Sequence, residues 1–243
     1  MVVFNGTSSN DSFVAPTGAN TVNGFSAWQN AGLTRRRILD AAYLLFRSRG
    51  YARVSVDEIA AAAAVTKRTL YRHFACKDVV VEEILKAQHQ LALTSSRTLN
   101  HFPETADELV DILFSEIATW SATTRWSGSG FTRAVMEFAD LPGHPARTIA
   151  RQHKAMLEAH VADQFTRLKV ASAVERARQV WLLAEGAMVS MLIHKDSRYI
   201  DIAACTAKEL LTREQNGRAT ERKKKVARPQ QRDLKAKMLA ASA

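Results

Sequence analysis

The 243-residue chain has only two cysteines, Cys76 and Cys205, far apart in sequence. That is too few for a disulfide framework or a cysteine-built zinc site, and it fits a reducing cytoplasm. The start has neither the Lys/Arg region nor the apolar run of a secretory signal. No hydrophobic run is long enough to cross a bilayer. The longest, from Val180 to Ile193, is interrupted by Glu185 and reads as a buried core helix. There is no Gly-rich phosphate loop, no His-Glu-x-x-His, no nucleophile elbow and no Cys/His cluster with metal spacing. His153 and His160 lie two turns apart on one predicted helix, too far to share an ion without other ligands. An enzyme is therefore not expected, and neither is a cofactor or metal. Five prolines and ten glycines exclude a low-complexity chain, and a hydrophobic content of 47% supports a folded core.

What is present is positive charge, unevenly placed. The formal net charge is +10. Residues 1–33 contribute −1 and residues 87–211 another −1, whereas residues 34–86 carry +5 and residues 212–243 carry +7. A cationic module and a cationic tail flank a near-neutral middle, a distribution suited to a polyanionic partner.

The +5 module contains the most informative stretch, Ser55 to Phe74. Ser55 followed by Glu58 is a capping box, so a helix is expected to start there with Val56, Ile59 and Ala60 inward. Thr66 is a second helix-start residue, and beyond it Leu70 and Phe74 share one face. Arg68, Thr69 and Arg72 then point the opposite way, with Tyr71 on a flank. A short helix with an apolar back and an Arg/Thr/Arg front suits a DNA major groove. Upstream, Thr34 is expected to cap a helix with the apolar stripe Ile38, Ala41, Ala42, Leu45 and Phe46, closed by Gly50 as a left-handed cap.

Ile38-Leu-Asp-Ala-Ala, Leu45-Phe46, Gly50-Tyr51, Ser55-Val-Asp-Glu-Ile-Ala and Val65-Thr-Lys-Arg-Thr-Leu-Tyr-Arg-His-Phe, with Lys77 beyond, together resemble the TetR (AcrR-type) family of helix-turn-helix transcriptional regulators. The resemblance covers roughly residues 34–86. Ala64 departs from it, standing in the turn where the family usually has glycine, and costs something only if the backbone there needs positive φ.

The resemblance implies an all-α protein. A three-helix DNA-binding head over 34–86 would join a helical effector-binding and dimerisation domain over 87–214. By composition, residues 1–33, rich in Asn, Ser, Thr and Gly, read as a disordered arm and residues 215–243 as a basic tail. The tail is either a solvated extension or a nonspecific DNA-binding arm. By the same resemblance Lys67, Arg68 and Thr69 read base edges, Tyr71, His73 and Lys77 hold phosphates, and Arg72 serves either purpose. Thr34, Ser55 and Thr66, at helix starts, complete the DNA-facing set. His73 also lies near the Leu70/Phe74 side and so either binds phosphate or packs. The expected partners are a double-stranded palindromic operator, a second copy held through the last two helices, and a small-molecule effector that releases the DNA. Activation, and nonspecific coating of DNA, are the alternatives.

Helices are expected over 77–99, 105–120, 146–168, 174–195 and 198–214, with a shorter one around Phe131 to Phe138. Trp120, Trp126, Phe131, Met136, Phe138, His153, Met156 and Trp181 lie between head and interface. They read either as an aromatic effector pocket or as ordinary core.

Overall fold

The computed structural model describes residues 32–123 and 126–212, and among these every regular element is a helix. The N-terminal arm up to residue 31 and the basic tail from residue 213 lie outside the described residues. In chain order the helices are α1 (Leu33–Arg49), α2 (Val56–Ala62), α3 (Lys67–His73), α4 (Lys77–Ser95), α5 (Arg97–Asn100), α6 (Ala106–Ser121), α7 (Gly130–Glu137), α8 (Pro145–Arg167), α9 (Ala173–His194) and α10 (198–212). The all-α class expected from the sequence is the one observed.

The head assembles as its apolar pattern dictates. Ile38, Ala42, Phe46, Ile59, Leu70 and Phe74 are all buried against Val80, Val81, Ile84 and Leu85 of α4. Each large side chain in such a core contributes about 1.5–3 kcal/mol relative to exposure. The same core continues into Phe131, Ala134 and Phe138 of the α7 region and Ala146 and Ala150 of α8. Head and body thus share one apolar seam. A second core joins α6, α8, α9 and α10 through Leu109, Leu113, Phe165, Val180, Ala184 and Met188.

Three local expectations change. Thr34 does not cap α1: the helix begins two residues earlier than such a cap implies, at Leu33, with Gly32 as its N-cap and no side-chain cap bond, so Thr34 lies inside the first turn. Gly50 closes α1 with φ 90° and ψ 168°, which is positive φ but not the left-handed helical region. That combination is essentially restricted to glycine. The single helix expected over 77–99 is broken at Ser96, whose backbone is extended at φ −70°, ψ 127°. The cause is Glu116 of α6. Its carboxylate accepts bonds from Ser96 Oγ (3.0 Å), Arg97 N (3.1 Å), Thr98 N (3.0 Å) and Thr98 Oγ1 (2.6 Å). Amide donors freed by starting a new helix find a carboxylate waiting for them.

Ala64 sits in the α2–α3 turn at φ 51°. A Cβ there crowds the following carbonyl and costs about 1–2 kcal/mol, partly offset by the greater unfolded-state entropy of glycine. Ala64→Gly is therefore expected to stabilise the head by about 0.5–1 kcal/mol, raising Tm by roughly 1–4 °C in a thermal melt. A lower Tm would sink the idea that the turn is strained.

Candidate nucleic-acid interface

Two caps set the helix-turn-helix. Ser55 Oγ accepts from Glu58 N at 3.2 Å, while the Glu58 carboxylate takes the Ser55 N–H and hydroxyl, each at 2.8 Å. These two Ser55 donors, helped by Arg49 at 2.6 Å, hold the Glu58 carboxyl down to about 2. Thr66 Oγ1 accepts from Thr69 N at 3.1 Å and starts α3. With Leu70 and Phe74 almost wholly buried, α3 cannot roll, and its outer face is set.

On that face Arg68 and Arg72 are exposed and bond to no described residue. Tyr71 is 44% exposed on the flank. Thr69 is half-buried, its hydroxyl 2.9 Å from that of Thr66. Lys67 is exposed and paired with Asp57 of α2 at 3.0 Å, which pushes its pKa up. Ser55 and Thr66 are exposed at their helix starts.

Two of the proposed phosphate ligands are placed differently. His73 turns inward: its Nε2 is buried without a hydrogen-bond partner, so the packing alternative describes its position. Lys77 points its ammonium into the head, donating to the carbonyls of Tyr51 (3.0 Å), Ala52 (3.3 Å) and Val54 (3.1 Å). It pins the loop between α1 and α2.

Other cations that sequence reasoning counted only as charge are also structural. Arg35 donates to His73 O at 3.0 Å and to Glu83 at 2.8 Å, with its guanidinium 4.3 Å from the centre of the Phe74 ring. Arg37 clamps the α2–α3 turn through Ala63 O (2.7 Å) and Ala64 O (3.1 Å). Arg53 was missed. It is exposed just before the α2 cap and bonds to no described residue. A cation two positions before a helix N-cap was the available signal.

Behind the head lies a cavity of about 530 Å³ bordered by Trp120, Trp126, Phe131, His153 and Trp181. The rings of Trp120 and Trp126 meet edge to face, 5.6 Å apart at 90°. His153 stacks on Phe131 at 3.7 Å, and its Nδ1 lies 3.0 Å from that of His89. Burial first, then Lys154 and His89, push the His153 pKa down to about 3, so the ring is neutral at pH 7. Phe138, Met156 and Met136 do not border the cavity. Phe138 is buried in the head–body seam, stacked on His144 at 3.9 Å, and Met136 is 66% exposed. Helical spacing alone could not tell which side of α7 and α8 would meet the cavity.

The loop 126–130 and α7 border the cavity and grip the head. Ser127 Oγ donates to Arg47 O at 2.9 Å. Arg133 donates to Phe46 O (3.2 Å), Arg47 O (3.0 Å) and Ser127 O (3.1 Å). Tyr51 donates its hydroxyl to Gly130 O at 3.2 Å, and burial drives its pKa up. Glu137 accepts from Ala52 N at 2.7 Å.

A capped two-helix unit whose second helix has a locked apolar back and a free arginine front defines a helix-turn-helix DNA-binding protein. Residues 38–84 match the family model described as bacterial regulatory proteins, tetR family. The chain is 22% identical over 180 residues to the Escherichia coli HTH-type transcriptional regulator YjdC, covering 74% of this chain and 94% of the relative. Its fold is similar to a TetR-family regulator from Streptomyces coelicolor (TM-score 0.66, 26% identity, 74% of this chain and 94% of that one). It is also similar to a putative regulator from Saccharomonospora viridis in complex with choline (TM-score 0.62, 21% identity, 73% and 95%). Residues 38–84 thus carry the DNA-binding region of the tetR family, and the chain as a whole is similar to transcriptional regulators of that family. These relatives are regulators, not enzymes. Among the described residues no helix is long and apolar enough to cross a membrane.

Proposed function

We propose that the protein is a ligand-responsive repressor that binds a palindromic operator as a homodimer and leaves it when a small molecule fills the cavity. The observation that carries this reading is the free pair Arg68 and Arg72 on a helix whose back is immobilised by Leu70 and Phe74. In it Arg68 and Thr69 face base edges, Tyr71, Ser55, Thr66 and Arg53 face the phosphate backbone, and Arg72 reaches whichever lies nearer. Lys67 joins them by exchanging Asp57 for DNA. Lys77 acts indirectly, by holding the α1–α2 loop.

Support for the dimer comes from an apolar stripe on α9. Leu182 (73% exposed), Val189 (38%) and Ile193 (67%) fall on one face with Gly186 between them, and α10 adds Ile202 (60%). A Cβ on Gly186 would meet nothing within 4 Å, so nothing in its own subunit needs a glycine there. Mid-helix glycine costs about 1 kcal/mol relative to alanine, and close approach of a second helix accounts for it. Support for release comes from the links between the cavity wall and the head. The two recognition helices must sit about 34 Å apart to enter successive major grooves. A ligand pressing on loop 126–130 shifts α7, and α7 holds the end of α1. The choline held by the S. viridis protein is a precedent for a small molecule on this fold.

Arg68→Ala is the direct test. Specific operator affinity is expected to fall by about 1–3 kcal/mol while binding to random DNA barely changes, measured by fluorescence anisotropy at fixed salt. Equal losses on both DNAs would leave Arg68 only a charge.

A further inference from the structure

The cavity's chemistry narrows what can fill it, on the reading above that it is the effector site. The carboxylate in its wall is already hydrogen-bonded. Glu116 is the only carboxylate bordering it among the described residues, and all four of its bonds go to Ser96, Arg97 and Thr98. The donors are in surplus. Trp126 Nε1 and Gln88 Nε2 are buried without a hydrogen-bond partner among the described residues. Arg47 and Arg97 border the cavity, and their guanidinium groups bond to no described residue. Two further cations are committed, Lys154 to Glu185 and Arg133 to backbone carbonyls. His153 adds no acidic group to this wall; burial first, then Lys154 and His89, push its pKa down and keep the ring neutral.

The rest of the wall is aromatic. Trp120 and Trp126 stand perpendicular, so a flat ring system lying on one meets the edge of the other. The face of Trp181 already has a cation near it, the Lys154 ammonium at 5.7 Å from the ring centre. A second cation brought there would be repelled.

We propose that the effector is a flat aromatic anion, a ring system bearing a carboxylate or an equivalent acidic group. Its rings lie among the tryptophans, and its oxygens accept from the Trp126 N–H, the Gln88 amide and the Arg47 guanidinium. A neutral analogue keeps the stacking and loses the ionic component, whereas a cationic analogue meets a wall in which Arg47, Arg97, Arg133 and Lys154 outnumber the one carboxylate. Arg47 closes α1, so the anion also bears directly on the element that carries the head.

The test uses the full-length protein and three probes of one shape: 2-naphthoate, 2-naphthamide and 2-naphthylmethylammonium. Calorimetry is expected to rank naphthoate first, at least about tenfold tighter than the ammonium. Arg47→Met should cost naphthoate about tenfold and the amide less than threefold. Trp126→Phe, which keeps an aromatic ring and removes the N–H, should weaken both acceptor-bearing probes and not the ammonium. The second variant serves if the first does not fold. Ammonium binding as tight as naphthoate, or equal losses of naphthoate and amide in Arg47→Met, would overturn the anion assignment and leave the cavity as a ligand site. Failure of all three probes to bind would overturn the site itself and the assignment with it.

Discussion

Gly50→Ala is expected to destabilise the protein by about 3 kcal/mol, a Tm drop of roughly 6–12 °C, and to weaken operator binding beyond what the melt explains. Two independent costs combine. The backbone at φ 90°, ψ 168° is one that side chains other than hydrogen avoid. A Cβ built there would also lie 2.4 Å from Glu137 Oε1. That carboxylate is not free to swing aside without loss, because it accepts from Ala52 N at 2.7 Å and lies 3.8 Å from Arg133 Nε. Displacing it breaks a tie between head and α7. The double variant Gly50→Ala, Glu137→Ala separates the two costs, since it removes the clash and keeps the backbone strain. If the single substitution leaves Tm and operator affinity unchanged, the strain and the tie are both wrong.

The second large effect concerns the α9 face. Leu182→Glu together with Ile193→Glu is expected to yield a folded monomer in sedimentation analysis and a loss of operator affinity of at least about a hundredfold. Both side chains are largely exposed within the subunit, so the monomer loses little by their replacement. A dimer would instead bring like charges together in a desolvated seam, which costs several kcal/mol. The affinity loss follows because one half-site contributes far less than two held at fixed spacing. A dimer that survives both substitutions would move the interface away from α9. Filling the face differently, with Gly186→Leu, should separate the subunits by steric exclusion without new charge.

Local signals in the chain were strong where neighbours in sequence make the contact. The Ser55–Glu58 box, the Thr66 cap, and the Leu70/Phe74 back were legible because each involves residues three or four apart on one helix. The same reasoning set the limits of α6, α8 and α9 to within a residue or two. It failed at Thr34, where the helix starts two residues earlier without a side-chain cap. It also joined α4 to α5, because the break is made by Glu116, about twenty residues away.

The cations show the difference most directly. Composition counts eleven Lys and Arg in residues 34–86 and assigns the excess to DNA. Folding removes Arg35, Arg37 and Lys77 from that pool by closing them on carbonyls 38, 26 and 23–26 positions distant. It leaves Arg53, Arg68 and Arg72 facing outward without partners among the described residues. The aromatics divide likewise: Phe131 reaches the cavity and Phe138, seven positions on, is drawn into the head seam. Helical period and caps, which depend on neighbours along the chain, were enough to place the individual helices, and the family resemblance implied the all-α class. Which cations remain free, and which rings wall the cavity, depend on contacts across tens of residues. Those exist only once the helices have packed.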